Sequence, residues 1–213
     1  MAELDYHTID QLHRDLKACR RCAEAGYAIF STPVFSGRQE ARLMLIGQAP
    51  GQAEGWLPGQ VNPPADRPFS GDAGARLFRW MARAGWTEEE FRARCYITSV
   101  TKCFPGKAAS GDGDRVPSAA ERRLCRPWLD WELKLVAPEV IVPVGSVAAS
   151  LFFPRGVKLV DLIGQHFIDA EGRHLVPLPH PSGTSRWHSD PRNVGRIEEA
   201  LDHLRILKHD LGL

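Results

Sequence analysis

Four short runs of apolar and β-branched residues, at positions 42–46, 95–100, 140–144 and 174–178, set the strongest limit on what this chain can fold into. Short continuous apolar runs are the pattern of strands buried on both faces. Between them the apolar spacing becomes helical. Leu77, Phe78 and Met81 follow Gly74, and Ser118 with Glu121 forms a capping box at the head of a helix reaching about Val136. Residues 146–153 read as a short helix, and Ile197, Leu201, Leu204 and Ile206 mark an amphipathic one over 194–207. Strands alternating with helices predict βαβ units, and so an α/β fold with a parallel sheet covered on both sides.

At 213 residues the chain suits one domain, 1–213, with no internal repeat and no interdomain linker. Apolar residues make up 43% and charged residues 25%, which excludes disordered and fibrous classes. No apolar run approaches the ~20 residues that span a bilayer, and residues 1–5, with two acids, lack a signal pattern. A cytoplasmic protein with no membrane partner is expected. A formal charge of +1 gives no global footprint for nucleic acid, so any DNA-binding surface must be a local patch. Arg20 with Arg21, Lys102 with Lys107, Arg122 with Arg123 and Arg126, and Arg186 with Arg192 and Arg196 are the candidates; each alone reads first as a solvated face. The stretches 56–68 and 106–117, rich in Gly and in Pro or Ser and Asp, read as long surface loops, which in a compact domain are usually functional.

In open α/β sheets, ligands bind beyond the carboxyl ends of the strands. The Gly-rich and polar punctuation falls there: Gly47-Gln48-Ala49-Pro50-Gly51, Ser99-Val100-Thr101-Lys102-Cys103, Gly145-Ser146 and His180-Pro181-Ser182-Gly183. Four loops at one sheet edge predict a site. Glycines there permit close backbone approach to a ligand.

Three segments, Gly47-Gln48-Ala49-Pro50-Gly51, Arg67-Pro68-Phe69-Ser70-Gly71-Asp72-Ala73-Gly74 and His180-Pro181-Ser182, resemble the signature segments of uracil-DNA glycosylases, in order and spacing across most of the chain. Cys19-Arg20-Arg21-Cys22, with Cys103 and Cys125, resembles the cluster-ligand pattern of the iron-sulfur families four and five. The resemblance implies a three-layer α/β/α sandwich around a central four-stranded parallel sheet. It also implies a base-excision repair enzyme, monomeric and acting on nucleoid DNA, that hydrolyses the N-glycosidic bond of uracil and leaves an abasic site.

By their chemistry alone, four thiolates serve a four-iron, four-sulfur cluster or zinc about equally well. The resemblance implies the cluster, held by Cys19, Cys22, Cys103 and Cys125, with Arg20, Arg21, Lys102 and Arg126 favouring thiolates. Cys95 opens an apolar run and reads as a small core hydrophobe.

Base removal requires an extruded nucleotide, a stacked base, a stabilised leaving anion and an admitted water. By the resemblance, Phe69 stacks on the base, His180 donates to the base oxygen, and Gln48, Ala49 and Ser99 meet the base. Pro50, Gly51, Ser182 and Gly183 face the DNA backbone, with Arg186 or Trp187 as a wedge. Asp72 is the expected water-activating acid, or a helix cap, or both; Glu54 is the second choice. Family four has an acid at Gln48 and an asparagine at Ser99, so hypoxanthine and xanthine stand beside uracil as substrates. A binding protein that recognises damaged DNA with little turnover is a further reading. A redox or zinc protein holding a nucleotide is disfavoured, because no dinucleotide fingerprint or Walker loop is present.

Overall fold

The computed structural model describes residues 5–54, 67–111, 113–182, 187 and 190–213. Three of the apolar runs become β1 (Leu43–Gly47), β2 (Tyr96–Ser99) and β3 (Val140–Pro143), buried along their whole lengths. β1 pairs in parallel with both others, placing Leu45 between Ile97 and Val142. The fourth run is shorter as a ladder. Its first residues form β5 (His174–Leu175), parallel to β3, and a single bridge joins Val144 to Leu178.

Among the described residues the sheet has five strands instead of the expected four, in the order β2-β1-β3-β5-β4. The added strand, β4 (Phe167–Ile168), runs antiparallel to β5. Asp169 closes the turn between them by accepting from the Glu171 and Arg173 amides, each at 3.0 Å. A two-residue strand carries no periodicity, which is why the sequence did not announce it. At the opposite edge, Ser36 caps β2 through an antiparallel bridge to Ile97.

Alternation along β1 sends side chains to two separate cores. Leu43 and Leu45 pack with Ile97, Val140 and Val142 against α3 (Asp72–Arg83), α4 (Glu88–Arg94) and α8 (Pro191–Leu211). Met44 and Ile46 pack with Tyr96 and Ile141 against α1 (Ile9–Lys17), α5 (Ala119–Val136) and α6 (Ser146–Ala149). The three-layer α/β/α arrangement follows directly. Removing a fully buried side chain such as Leu45 costs roughly 2–5 kcal/mol. The α5 capping box forms at Ser118 and Glu121 as expected, and a second at Thr8 and Gln11 starts α1. Two further short helices are α2 (Arg21–Glu24) and α7 (Leu159–Leu162). Among the described residues no helix is long and apolar enough to cross a membrane.

Candidate active site

The turn that ends β1 builds the first wall. The Gly47 carbonyl accepts from the Val100 amide at 2.9 Å and that of Gln48 from the Thr101 amide at 3.2 Å, so the ends of β1 and β2 open side by side. These ends, with Phe69 ahead of α3 and His180 beyond β5, line a cavity of about 370 Å³. Gln48, Ala49, Pro50, Gly51, Glu54, Phe69, Ser99, His180 and Ser182 all belong to its lining. Gly183, Arg186 and the 56–64 loop lie outside the described residues. Gly145, from the loop after β3, supports His180: a side chain there would start 3.4 Å from the His180 Cβ, and its φ of 86° favours glycine.

Phe69 adopts φ 55°, a left-handed backbone that non-glycine residues enter at a cost. Arg92 of α4 pins it, donating from Nη1 to the Pro68 carbonyl (2.8 Å) and from Nη2 to that of Phe69 (2.9 Å). The same guanidinium lies over the Phe78 ring, 4.3 Å from its centroid. Gly47 makes room for the Phe69 ring, whose Cζ lies 3.1 Å from where a Cβ at 47 would stand. An aromatic side chain is thus held at the cavity wall by a backbone its neighbours over-determine.

His180 is set by its own loop. The Ser182 amide donates to His180 Nδ1 at 3.3 Å, which assigns the ring proton to Nε2 in the neutral form. Burial holds the imidazole below the usual histidine range, against a partial opposing pull from Asp114. A neutral ring with Nε2–H is a hydrogen-bond donor suited to a developing oxyanion. Arg76 donates to the Pro181 carbonyl at 2.7 Å and steadies the segment.

The acids occupy three different settings. Glu54 is 8% exposed. Its Oε2 accepts from the Gly51 amide (3.0 Å) and its Oε1 from the Ser70 amide (3.2 Å), so it clamps the β1 turn to the Phe69 segment. Burial raises its pKa. Asp72 is the first residue of α3, exposed and outside the cavity lining, where its charge complements the positive end of the helix. Asp114 lines the cavity and was missed by sequence reasoning. The stretch around it is a hairpin: the Ala108 amide donates to the Gly113 carbonyl, Arg115 to Gly106, and the Lys107 ammonium to Asp114 Oδ1 at 2.8 Å. Asp114 Oδ2 lies 3.1 Å from where a Cβ on Gly51 would stand. The surrounding Gly and Asp residues read as turn punctuation, so no sequence signal set Asp114 apart.

Ser99 is buried and donates through Oγ to the Thr101 carbonyl at 2.7 Å. Its proton is committed to the backbone. The oxygen therefore meets the cavity as an acceptor.

Cys19, Cys22, Cys103 and Cys125 line a second cavity, of about 460 Å³. They come from the end of α1, from α2, from the loop after β2 and from α5. Trp128 Nε1 donates to Cys19 Sγ at 3.1 Å and the Lys102 amide to Cys125 Sγ at 3.4 Å. Burial first, then the neighbouring sulfurs, push the Cys103 thiol far up; burial pushes Cys125 to about 12. Among the described residues no three His, Cys, Asp or Glu side chains are grouped to hold a single metal ion. Cys95 is buried in the α3–α4–α8 core, away from these four.

Fold and cavity together define an α/β protein whose strand ends open onto a pocket lined by an aromatic ring, a histidine and carboxylates. The chain belongs to the uracil DNA glycosylase superfamily, whose family model matches residues 34–205. It is 28% identical over 158 residues to the type-4 uracil-DNA glycosylase of Thermotoga maritima, covering 74% of this chain and 73% of that one. It is 34% identical over 189 residues to the type-5 uracil-DNA glycosylase of Pyrobaculum aerophilum, covering 83% and 75%. With the type-5 uracil-DNA glycosylase of Thermus thermophilus it shares 31% identity over 179 residues, covering 76% and 75%.

Proposed function

We propose that this protein is a monofunctional uracil-DNA glycosylase of base-excision repair, hydrolysing the N-glycosidic bond of uracil extruded from DNA. The observation that carries this is the Ser182 amide donating to His180 Nδ1, which leaves Nε2–H available to the base oxygen that gains charge as the bond breaks. Phe69 stacks on the base, and Gln48, Ala49 and Ser99 meet its edge. Pro50, Gly51 and Ser182 face the DNA backbone, and Gly183 and Arg186 are proposed to extend that contact. For the water, Asp114 is the acid best suited: it lines the cavity with Oδ1 paired to Lys107 and Oδ2 beside Gly51, whereas Glu54, also in the lining, accepts a backbone amide at each oxygen and Asp72 lies outside it.

The acceptor at Ser99 also favours a second reading, activity on hypoxanthine and xanthine. All three deaminated bases pair a ring N–H with a neighbouring carbonyl, so one acceptor and one donor serve each of them.

The four cysteines fit a four-iron, four-sulfur cluster. Its ligand sulfurs bind different irons and stand apart, whereas zinc needs all four within ~2.3 Å of one point. The cysteines line one cavity of about 460 Å³, larger than a single ion needs, and two N–H groups already aim at their sulfurs. When bound, the cluster supplies a cross-link among α1, α2, α5 and the loop after β2. Base cleavage is carried by the other cavity.

The test is incubation with single- and double-stranded oligonucleotides carrying one uracil, hypoxanthine or xanthine, followed by alkali. Strand breaks at uracil are expected. Binding without breaks above a control would leave a damage-binding protein instead. Purified protein should be brown with broad visible absorbance; a colourless zinc protein would overturn the cluster.

A further inference from the structure

The end of β2 and the loop after it pass from one cavity to the other. Thr98 and Ser99 line the one read as the base pocket, and Thr101, Lys102 and Cys103, a few residues on, line the cysteine cavity. Within this stretch lies an ion pair sealed from solvent: Lys102, 1% exposed, and Glu132 of α5, 0% exposed.

Every proton of the Lys102 ammonium is used. Nζ donates to Thr98 Oγ1, to the Ser99 carbonyl and to Glu132 Oε2, each at 2.6 Å. Glu132 also accepts from Tyr96 OH at 3.2 Å and from Thr98 Oγ1 at 3.1 Å, and Tyr96 OH is 2.7 Å from His13 Nε2. The backbone of Lys102 reaches the other way, its amide donating to Cys125 Sγ. One residue therefore grips the base-pocket wall by its side chain and a cysteine by its main chain. A buried pair of this kind is a poor source of net stability, since desolvation offsets the attraction, and apolar side chains would fill the space as well. What it supplies is direction: three fixed bonds at the end of β2, where the Ser99 peptide is set.

We propose that Lys102, braced by Glu132, is a positioning residue that fixes the Ser99 wall of the base pocket and ties it to the cysteine cavity behind it. The inference rests on reading the 370 Å³ cavity as the base pocket.

The double variant Lys102→Met/Glu132→Leu removes both charges and keeps apolar volume, a replacement that usually preserves folding. It is compared with the parent protein, with Lys102→Gln/Glu132→Gln and with His180→Ala for melting temperature, for kcat and KM on a uracil oligonucleotide, and for the rate at which a chelator bleaches the visible absorbance. The double variant should stay folded, its melting temperature lowered only by the buried Thr98, Ser99 and Tyr96 groups it leaves unpaired, while kcat falls ~10-fold or more and KM moves far less, because a displaced wall mis-seats the base without loosening the grip on DNA. Bleaching should be faster. Lys102→Gln/Glu132→Gln, which removes both charges at once and leaves amides that can still hydrogen-bond their neighbours, should shift kcat and bleaching in the same directions and serves if the apolar double variant does not fold. A folded double variant with kcat within about twofold of the parent would overturn the positioning role. So would a fall in kcat no larger than the loss of folded protein. Unchanged bleaching would overturn the tie to the cysteine cavity. Undiminished kcat in His180→Ala would instead strike the reading of the pocket itself.

Discussion

Gly74 in the first turn of α3 faces the carbonyl of Phe69, and a Cβ at 74 would run into that carbonyl. The left-handed backbone of Phe69 thus depends on a residue five positions on having no side chain.

Gly74→Ala should therefore cost both stability and activity. Overpacking against rigid backbone costs about 1–3 kcal/mol, and relief would come by moving Phe69 off its place in the cavity wall. A lowered melting temperature together with at least ~10-fold lower kcat/KM on uracil DNA is expected. An alanine variant with parental kcat/KM would mean that the Phe69 conformation is not needed.

His180→Ala should lower kcat by ~10²-fold or more, the scale of a lost transition-state hydrogen bond, with DNA affinity little changed. Single-turnover excision and an equilibrium binding titration separate the two.

The three acids should part company. Asp114→Asn is expected to lose ~10²-fold in kcat with an unaltered melting temperature, as general-base groups do. Glu54→Gln should lose stability as well, because an amide NH₂ cannot accept from the Gly51 and Ser70 amides as a carboxylate does. Asp72→Ala should stay within a few-fold of parent activity. Near-complete loss in Asp72→Ala alone would return the water-activating role to that residue.

Stability should fall on the acid side of neutrality. Burial lowers His13 from 6.5 to about 4 and also holds His166 and His180 down. A folded pKa below the unfolded one means that the unfolded chain binds protons first as pH drops. The stabilising contribution is then complete above about pH 6.5 and is lost as pH falls toward 4. Melting temperature measured across this window should decline, and His13→Gln should flatten the decline.

Cys125→Ser should abolish the visible absorbance and reduce thermal stability, whereas Cys95→Ala should keep the absorbance and lose only the modest packing of a small core side chain. Iron and sulfide analysis of both variants checks this.

The strands were legible because a strand buried on both faces has only one way to be written, as in Leu43, Met44, Leu45 and Ile46. The rim residues Gln48, Phe69 and His180 were legible because they follow or flank those strands in recognisable segments. Other features left no local trace. Phe69 looks like any phenylalanine until its φ is known, and Arg92, which pins it, sits 23 residues away. Lys102 would pass for a surface cation, since only the tertiary fold brings Glu132 to it. The α4 helix also left no periodicity, although Thr87 ahead of Glu90 carries the capping chemistry that could have revealed it.

The short pieces at the two margins of the sheet have a colloidal consequence. An exposed strand edge is a template for another chain, and here β2 is met by Ser36 while the far side ends in the two residues of β4 beside the charged Asp169–Arg173 turn. Among the described residues neither margin is a long, flat, bare strand, so these edges offer little purchase for cross-β growth even when concentrated. The protein's central strands, the most apolar segments it has, are shielded by the least conspicuous ones.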